Sequence, residues 1–253
     1  MSRKPTRIQS IARACKVLLF IAENSDGKTA ADTAREFGLS SATAYHILNT
    51  LVAEGFLHKD SAKRYHLGPL VGVLADALGR DLAPPEDLLR GTRILNDKTS
   101  ETAYLSAWRN GEIVVLSTVD GHLPVRAQGP STGFTGDAHA RASGKLLLAH
   151  ASPRLCDEYL ATHPMRKLTA STTTERSRLM QELERVRTQG FAMDEEEFRE
   201  GVACIAAPIT ANGTVIGAYT VSAPVDRFRR RLDELKTEIL AAADAASEST
   251  AVS

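Results

Sequence analysis

Cysteine and long apolar runs are scarce in this chain of 253 residues. The three cysteines, Cys15, Cys156 and Cys204, are odd in number and widely scattered, which argues against a disulfide framework and for a reducing compartment. No run of about 18 apolar residues occurs, so we predict no membrane span. The basic N-terminus is not followed by the apolar core of a signal peptide. We therefore expect a cytoplasmic protein.

Net charge is also absent, because 31 cationic side chains balance 31 acidic ones. The distribution along the chain is nevertheless uneven. Residues 1–67 hold ten cations and six anions, a net charge of +4, so the remaining residues must carry −4. A basic N-terminal part joined to an acidic C-terminal part is typical of a DNA-binding module attached to a domain of another kind. The chain is long enough for two domains with separate cores.

The motifs of common catalytic and metal sites are missing as well. The sequence contains no G-x-S-x-G elbow, H-E-x-x-H pair, P-loop or dinucleotide fingerprint, so we predict no catalytic residue and no cofactor. An enzyme remains the main alternative to a DNA-binding protein, with Ser143 as a nucleophile beside Lys145 or His139 as the base. A metal site at His139, Asp194 and Cys204 is disfavoured because their spacing matches no zinc signature. A helical scaffold protein is a third class.

Residues 38–56 form the most informative stretch that is present. Ser40 is a typical helix cap and Gly55 a typical residue just past a helix end. Between them an apolar stripe recurs at helical spacing, formed by Ala44, Ile47, Leu48 and Leu51. The opposite face has no acidic residue and carries Ser41, Ala42, Tyr45, His46 and Asn49. Such a face fits the major groove of DNA, although an ordinary amphipathic surface helix would show the same stripe.

The flanking segments favour the DNA-binding interpretation. Residues 29–37 read as a short helix and Gly38 as a tight turn, which together with the next helix gives a helix-turn-helix. Residues 56–67 read as two short strands with a cationic tip, the wing of a winged helix-turn-helix. A first helix is predicted at residues 10–23, with Cys15 as a small buried apolar side chain in it.

These elements divide the predicted DNA contacts into two kinds. Phosphate contacts should supply most of the affinity, and base contacts the sequence preference. We assign base readout to Ser41, Thr43, Tyr45, His46 and Asn49. We assign phosphate contacts to Lys59, Lys63 and Arg64 in the wing and to Arg3, Lys4 and Arg7 in an N-terminal arm.

The pattern changes after the wing. Residues 69–82 lie between prolines and read as a helix, either a core helix of the first domain or, as we favour, a linker helix that pairs with a second subunit. Hairpins centred on Asn110-Gly111 and Asn212-Gly213 alternate with helices beyond it, which indicates an α+β domain with a mainly antiparallel sheet. Helices are predicted at 88–98, 143–150, 153–160, 175–188 and 232–246, and strands at 102–108, 112–119, 123–127, 191–194, 202–210 and 214–222.

Several of these segments together resemble the IclR family of bacterial transcription regulators. The resemblance covers nearly the whole chain and is carried by residues 10–14, 39–55, 64–68, 142–149, 190–196, 201–208 and 221–224. It implies an N-terminal winged helix-turn-helix, a linker helix and a C-terminal GAF-like α/β effector-binding domain. It also implies homodimers or tetramers that bind palindromic operators in double-stranded DNA. The chain departs from the family at Ser41 and His46, where basic residues are usual, so more of the charge falls to the wing and arm.

The same resemblance implies where an effector binds. Residues 142–145 enter a helix at small side chains, and a helix N-terminus offers free N–H groups to a carboxylate. By motif, Ala142 and Ser143 would give backbone donors, and the walls would be Asp194, Cys204, Thr220 and Ser222. The alternatives are a helix start that binds nothing and, for Cys204, a packed strand thiol. An acidic Asp194 beside an anion would have to be protonated on burial or meet a ligand hydroxyl or ammonium.

The sequence thus predicts a two-domain α+β regulator whose operator binding responds to a small organic acid or related metabolite. We set the boundaries at 1–68 for the DNA-binding domain, 69–83 for the linker helix, 84–248 for the effector domain and 249–253 for a disordered tail. We favour a repressor; the alternatives are an activator or an enzyme that uses the same pocket.

Overall fold

The computed structural model describes residues 8–251, except for the side chains of residues 81, 82 and 251. The chain forms two compact units that divide between Asp81 and Leu82, inside the predicted linker helix. The predicted domain boundaries themselves stay a prediction. Across the described residues, no helix is both long and apolar enough to cross a membrane.

The first unit begins with three helices whose ends are fixed by local chemistry. They are α1 (Gln9–Ala22), α2 (Ala30–Phe37) and α3 (Ser41–Ala53). Thr29 and Asp32 form a reciprocal capping box at the start of α2. Gly38 then adopts a left-handed conformation with φ 59°, which lets the chain turn tightly into α3. The predicted cap of α3 is confirmed, because the Ser40 hydroxyl accepts the Thr43 N–H at 3.2 Å.

A short hairpin and a long helix complete this unit. Strands β1 (Leu57–Lys59) and β2 (Tyr65–Leu67) pair antiparallel, and α4 (Pro69–Leu82) follows. The core packs α1 and α3 against the hairpin and consists of Val17, Ile21, Leu48, Leu51, Leu57 and Tyr65. The prediction for Cys15 is wrong: α1 is rotated so that Val17 and Ile21 are buried, and Cys15 is exposed.

The second unit is built on a five-stranded antiparallel sheet with the order β4-β3-β7-β6-β5. Its strands are β3 (Thr102–Arg109), β4 (Glu112–Val119), β5 (Ala192–Glu195), β6 (Val202–Ala211) and β7 (Thr214–Pro224). Its helices are α5 (Glu86–Thr99), α6 (Ala142–His150), α7 (Pro153–Thr162), α8 (Arg176–Gln189), α9 (Val225–Arg230) and α10 (Leu232–Ala251). The antiparallel α+β architecture expected from the sequence is therefore confirmed.

Helices cover both faces of this sheet, and successive residues of each strand face the two helical layers in turn. One core packs α5 and α10 against the sheet and includes Leu105, Tyr219 and Val221. The other packs α6 and α8 against the opposite face and includes Ala206 and Ala218. Because successive strand residues point to opposite faces, β7 contributes to both cores.

Three details differ from the predicted elements. Residues 123–127 form no strand; their backbone is held by side chains instead, as when the Thr102 hydroxyl donates to the Ala127 carbonyl at 2.6 Å. The short helix α9 was not predicted. The predicted disordered tail is wrong as far as residue 251, because α10 extends to Ala251; residues 252–253 lie outside the described residues.

Candidate functional site

The polar face of α3 is open to solvent, as a DNA-reading helix requires. Ser41, Tyr45 and His46 are exposed, with Tyr45 at 46% of its full accessibility, whereas Thr43 and Asn49 are half-buried. The apolar stripe faces inward, since Ala44, Leu48 and Leu51 are buried and Ile47 is half-buried. The helix therefore divides into a packed face and a free face of hydrogen-bonding groups.

Two of the predicted base-reading residues already hold side-chain hydrogen bonds within the protein. The Thr43 hydroxyl lies 2.8 Å from the Ser40 hydroxyl. The Tyr65 hydroxyl donates to Asn49 Oδ1 at 3.3 Å, which ties the amide of Asn49 to the second strand of the wing. This bond leaves the Asn49 Nδ2 donors for a partner outside the chain. Sequence analysis did not identify Tyr65, which is buried at the centre of the first core.

The wing presents three exposed cations around a tight tip. Lys59 Nζ lies 5.5 Å from the Tyr45 ring centre and 5.2 Å from that of Tyr65, so it links the wing to α3 by cation–π contacts. Lys63 occupies the tip with φ 63°. Arg64 Nη1 donates to the Gly27 carbonyl at 3.3 Å, which directs this side chain toward the turn between α1 and α2. The predicted arm residues Arg3, Lys4 and Arg7 lie outside the described residues.

The second unit gathers the predicted effector residues into rows across the sheet. Asp194 on β5 pairs with Cys204 on β6, which pairs with Ser222 on β7. Thr220, two residues before Ser222, lies opposite Tyr104 on β3. Residues paired across antiparallel strands share a face, so these side chains all point toward the layer of α6 and α8. All of them are buried.

Asp194 supplies the carboxylate of this group, and its pKa is perturbed. Its Oδ1 accepts the backbone N–H groups of Glu197 at 2.8 Å and Phe198 at 3.2 Å. Burial nevertheless outweighs these bonds and raises the pKa of Asp194 from 3.8 to about 6. Burial also raises the pKa of the Cys204 thiol, whose Sγ donates to Ser222 Oγ at 3.3 Å. Asp194 can therefore take up a proton near neutral pH, while Cys204 stays a neutral thiol.

Helix α6 brings its first turn against the same polar surface. Ser106 on β3 donates to the Ser143 hydroxyl at 3.3 Å. A Cβ at Gly144 would overlap the backbone of Ala138, so only glycine permits this close approach of the preceding loop. Ala142 and Ser143 are fully buried, and the first N–H groups of a helix have no acceptor within the helix.

Two residues of this region were missed by the sequence analysis. Arg141 directly precedes α6 and is 1% exposed, and its Nη2 donates to the Ile113 carbonyl at 3.2 Å. Tyr104 is buried beside Thr220, and burial raises its pKa well above the usual value. A signal for Tyr104 was available, because Thr102, Tyr104 and Ser106 place polar groups at every second position of β3.

Lys145 anchors a buried ionic cluster next to these rows. Its ammonium lies 2.5 Å from a carboxylate oxygen of Glu182 and 2.5 Å from one of Glu197. Burial disfavours the ammonium, but the two carboxylates outweigh it and raise the pKa of Lys145. Burial raises the pKa of Glu197 to about 7 against the opposing effect of Lys145. This cluster joins α6, α8 and the segment after β5.

The structure does not bring together the catalytic group or the metal site that the sequence raised as alternatives. Ser143 is hydrogen-bonded to Ser106, Lys145 to its two carboxylates, and His139 Nε2 lies 2.9 Å from the Arg166 carbonyl oxygen, so no nucleophile–base pair forms among them. Within residues 8–251, no three His, Cys, Asp or Glu side chains are grouped so that they could hold a metal ion.

Known proteins match both units of the chain. Residues 10–61 match the IclR helix-turn-helix domain, and residues 89–248 match the family described as bacterial transcriptional regulator IclR C-terminal. The HTH-type transcriptional regulator BhcR of Paracoccus denitrificans is 32% identical over 239 residues, which cover 93% of this chain and 85% of that protein.

Solved structures with the same fold span almost the whole chain. The crystal structure of Thermotoga maritima IclR aligns with a TM-score of 0.70 at 25% identity and covers 97% of this chain and 100% of that one. An IclR homolog from Microbacterium hydrocarbonoxydans, complexed with 4-hydroxybenzoate, aligns with a TM-score of 0.63 at 24% identity and covers 93% and 99%. With an open helix-turn-helix face, a C-terminal domain built on an antiparallel sheet and these matches, the chain belongs to the IclR family of bacterial transcriptional regulators.

Proposed function

We propose that this DNA-binding regulator reads a palindromic operator with α3 and its wing, and that a small carboxylate bound in the second unit changes its operator affinity. The observation that carries the DNA half is the division of α3 into a buried apolar stripe and an open polar face. An α-helix with such a face fits the major groove, where base edges present a distinctive pattern of donors and acceptors.

The contacts within the first unit suggest how the two kinds of DNA contact are divided. Ser41, Tyr45 and His46 point into solvent from α3 and can reach base edges, whereas Asn49 would use the amide donors that Tyr65 leaves free. Thr43 would contribute if its hydroxyl gave up its hydrogen bond with Ser40 and formed one with DNA instead. The exposed cations Lys59, Lys63 and Arg64 would lie against phosphates and supply affinity by counterion release.

A second copy of the chain is the partner that helix α4 fits best. Four exposed apolar residues follow one another at helical spacing on α4, with 37–61% of their surface accessible: Leu70, Val73, Leu74 and Leu78. Such a stripe is typical of a helix that pairs with an equivalent helix. Two copies would place two recognition helices on two half-sites of a palindrome. This supports a homodimer, and a tetramer would join two such pairs.

The effector half rests on the convergence of buried polar groups in the second unit. Ala142 and Ser143 supply a helix start, and Asp194, Cys204, Thr220 and Ser222 lie in adjacent cross-strand rows that face the layer of α6. A set of convergent polar groups in an otherwise apolar interior is typical of a ligand site. The homolog crystallised with 4-hydroxybenzoate supports a carboxylate as the ligand class.

Effector binding would act by changing the spacing of the two recognition helices within the dimer, because half-site spacing is a geometric requirement of operator binding. We propose repression as the default activity. A relative that is 27% identical, from Salmonella typhi, is named a transcriptional repressor. The protein would act in the cytoplasm, on double-stranded operator DNA.

The DNA half is tested by comparing two substitutions on DNA selected from a random pool with the full-length protein. We expect Lys63→Ala to weaken binding to all sequences alike and to lower the slope of log affinity against log salt by about one, because it removes one phosphate contact. We expect Asn49→Ala to change the preferred bases by about 1–3 kcal/mol at one position of each half-site.

Fluorescence anisotropy across a salt series and a set of operator variants measures both effects. Lys167→Ala removes an exposed cation of the second unit and serves as the matched control, for which the salt slope should not change. The assignment is refuted if Lys63→Ala alters the base preference while Asn49→Ala lowers only the salt slope. A transcriptional reporter downstream of the selected operator distinguishes repression from activation.

A further inference from the structure

The most unusual group of the second unit is the guanidinium of Arg141. It is 1% exposed, and only Nη2 finds a partner, the Ile113 carbonyl. Nε and Nη1 are buried without a hydrogen-bond partner among the described residues. A buried charge is costly unless it is paired, and native proteins rarely leave such donors unused.

The surroundings of Arg141 do not supply the missing partner. Phe134 stacks against it with its ring centre 5.1 Å from Cζ, which shields the charge from water without neutralising it. Tyr104, Tyr159, Asp137 and Asp194 are near enough to act on it electrostatically. None of the ion pairs formed by the described carboxylates includes Arg141, and Asp137 is instead paired with Arg166 at 2.7 Å.

A second free polar group lies toward the other end of the same surface. Thr220 Oγ1 is buried on β7 next to the Tyr104 side chain, and it has no hydrogen bond of good geometry with any of the residues that the structure describes. A hydroxyl can donate and accept, and Asp194 follows two strands away in the neighbouring row. The site therefore offers a cation at one end and hydroxyl and carboxyl groups at the other.

We propose that Arg141 is the counter-charge that holds the effector, and that the effector is a hydroxycarboxylate. Its carboxylate meets the free Nε–H and Nη1–H groups of Arg141, and its hydroxyl meets Thr220. This proposal rests on the proposed function, since it names the ligand class of the effector site. It places the counter-charge on the residue that precedes α6, beside the helix start formed by Ala142 and Ser143.

Matched pairs of small molecules test the proposal with the full-length protein. The probes are 4-hydroxybenzoate and lactate, their neutral carboxamides, and benzoate, which lacks the hydroxyl. Thermal shift and calorimetry should show binding of at least one hydroxycarboxylate and on the order of 100-fold weaker binding of its carboxamide, because a buried charge would lose its partner. Thr220→Val should weaken 4-hydroxybenzoate relative to benzoate.

Variants of Arg141 separate a ligand-binding role from a structural one. Arg141→Met should lose the preference for acid over amide without a lower melting temperature in the absence of ligand, because the uncompensated charge is gone. A purely structural arginine would instead lower the melting temperature. Arg141→Lys keeps the charge and replaces the methionine variant in the binding test if that variant does not fold. It should retain a reduced preference for the acid over the amide.

Failure of the Arg141 assignment can be distinguished from failure of the proposed DNA-binding function. The proposal is overturned if neither hydroxycarboxylate binds, if the amides bind as well as the acids, or if Arg141→Met binds the acids as the wild type does. Operator binding by the same protein samples is measured without ligand. If the acids bind as expected but no DNA sequence is selected, the proposed function fails while the assignment of Arg141 stands.

Discussion

Replacing Asp194 by asparagine should stabilise the second unit at alkaline pH and leave it nearly unchanged in acid. Burial raises the folded-state pKa of this carboxyl from 3.8 to about 6. The folded protein therefore binds the proton more tightly than the unfolded chain, and the stability that this proton supplies is lost as pH rises from about 4 through 6. Asparagine is neutral throughout and can keep accepting the N–H groups of Glu197 and Phe198.

The size of the effect follows from the shift of the pKa. Each pKa unit corresponds to about 1.4 kcal/mol, so a shift of roughly two units makes the ionised Asp194 cost about 3 kcal/mol at pH 8. At pH 4 the same side chain is mostly protonated in the folded protein, and the difference falls below about 1 kcal/mol. Glu197 also titrates in the folded protein, but it is present in both proteins and largely cancels in the comparison.

Urea unfolding of both proteins at pH 4 and pH 8 measures this difference. Trp108, the single tryptophan, lies on β3 of the second unit, so its fluorescence reports on that unit. Asp244→Asn removes an exposed carboxylate on α10 and should change little at either pH. The reasoning is refuted if Asp194→Asn is less stable than the wild type at pH 8, or if the difference is the same at both pH values.

Two further predictions concern packing and assembly. Gly144→Ala should destabilise the second unit by about 1–3 kcal/mol in a thermal melt, because the new Cβ overlaps the Ala138 backbone; Gly72→Ala on α4, where nothing lies within 4 Å, should be neutral or stabilising. Leu74→Glu should convert the proposed dimer to monomers in sedimentation experiments by placing a charge in the apolar stripe of α4. Gly72→Glu, on the opposite side of α4, should leave the proposed dimer intact, and a monomeric wild type would contradict the proposed role of α4.

Much of the first unit was predictable because its signals are local. The Ser40 cap, the left-handed Gly38 and the apolar spacing of α3 each depend on a few neighbouring residues. The exposure of Cys15 was not predictable in the same way. Two overlapping apolar faces exist on α1, and only the packing of α3 and the wing decides that Val17 and Ile21 are the buried ones.

The errors in the second unit come from contacts between distant residues. Residues 123–127 alternate like a strand, but side chains rather than a neighbouring strand bond their carbonyl groups: Thr102 donates to Ala127 and Arg227 donates to Val125. The end of α10 is polar and reads as frayed, yet Ser247 accepts the Thr210 N–H at 2.8 Å and holds the helix to β6.

The candidate site shows the same limit of local signals. Motif resemblance assigned Asp194, Cys204 and Ser222 to the walls of one pocket, and the register of β5, β6 and β7 places them in one cross-strand row. The resemblance did not assign Arg141 to the pocket, because a single sequence does not distinguish a buried arginine from one on the surface. The burial of Arg141 depends on Ile113 and Phe134, neither of which is adjacent to it in the chain.

Strand β7 is shared by two layers, and this has a mechanical consequence. Thr220 and Ser222 face the layer of α6 and α8, whereas Tyr219 and Val221, their immediate neighbours, belong to the core formed with α5 and α10. The Tyr219 hydroxyl donates to the Leu88 carbonyl in α5 at 2.9 Å. A molecule that displaces β7 from the side of Thr220 would therefore also displace Tyr219 and its contact with α5. Strand β7 alone can thus couple the two helical layers on opposite faces of the sheet.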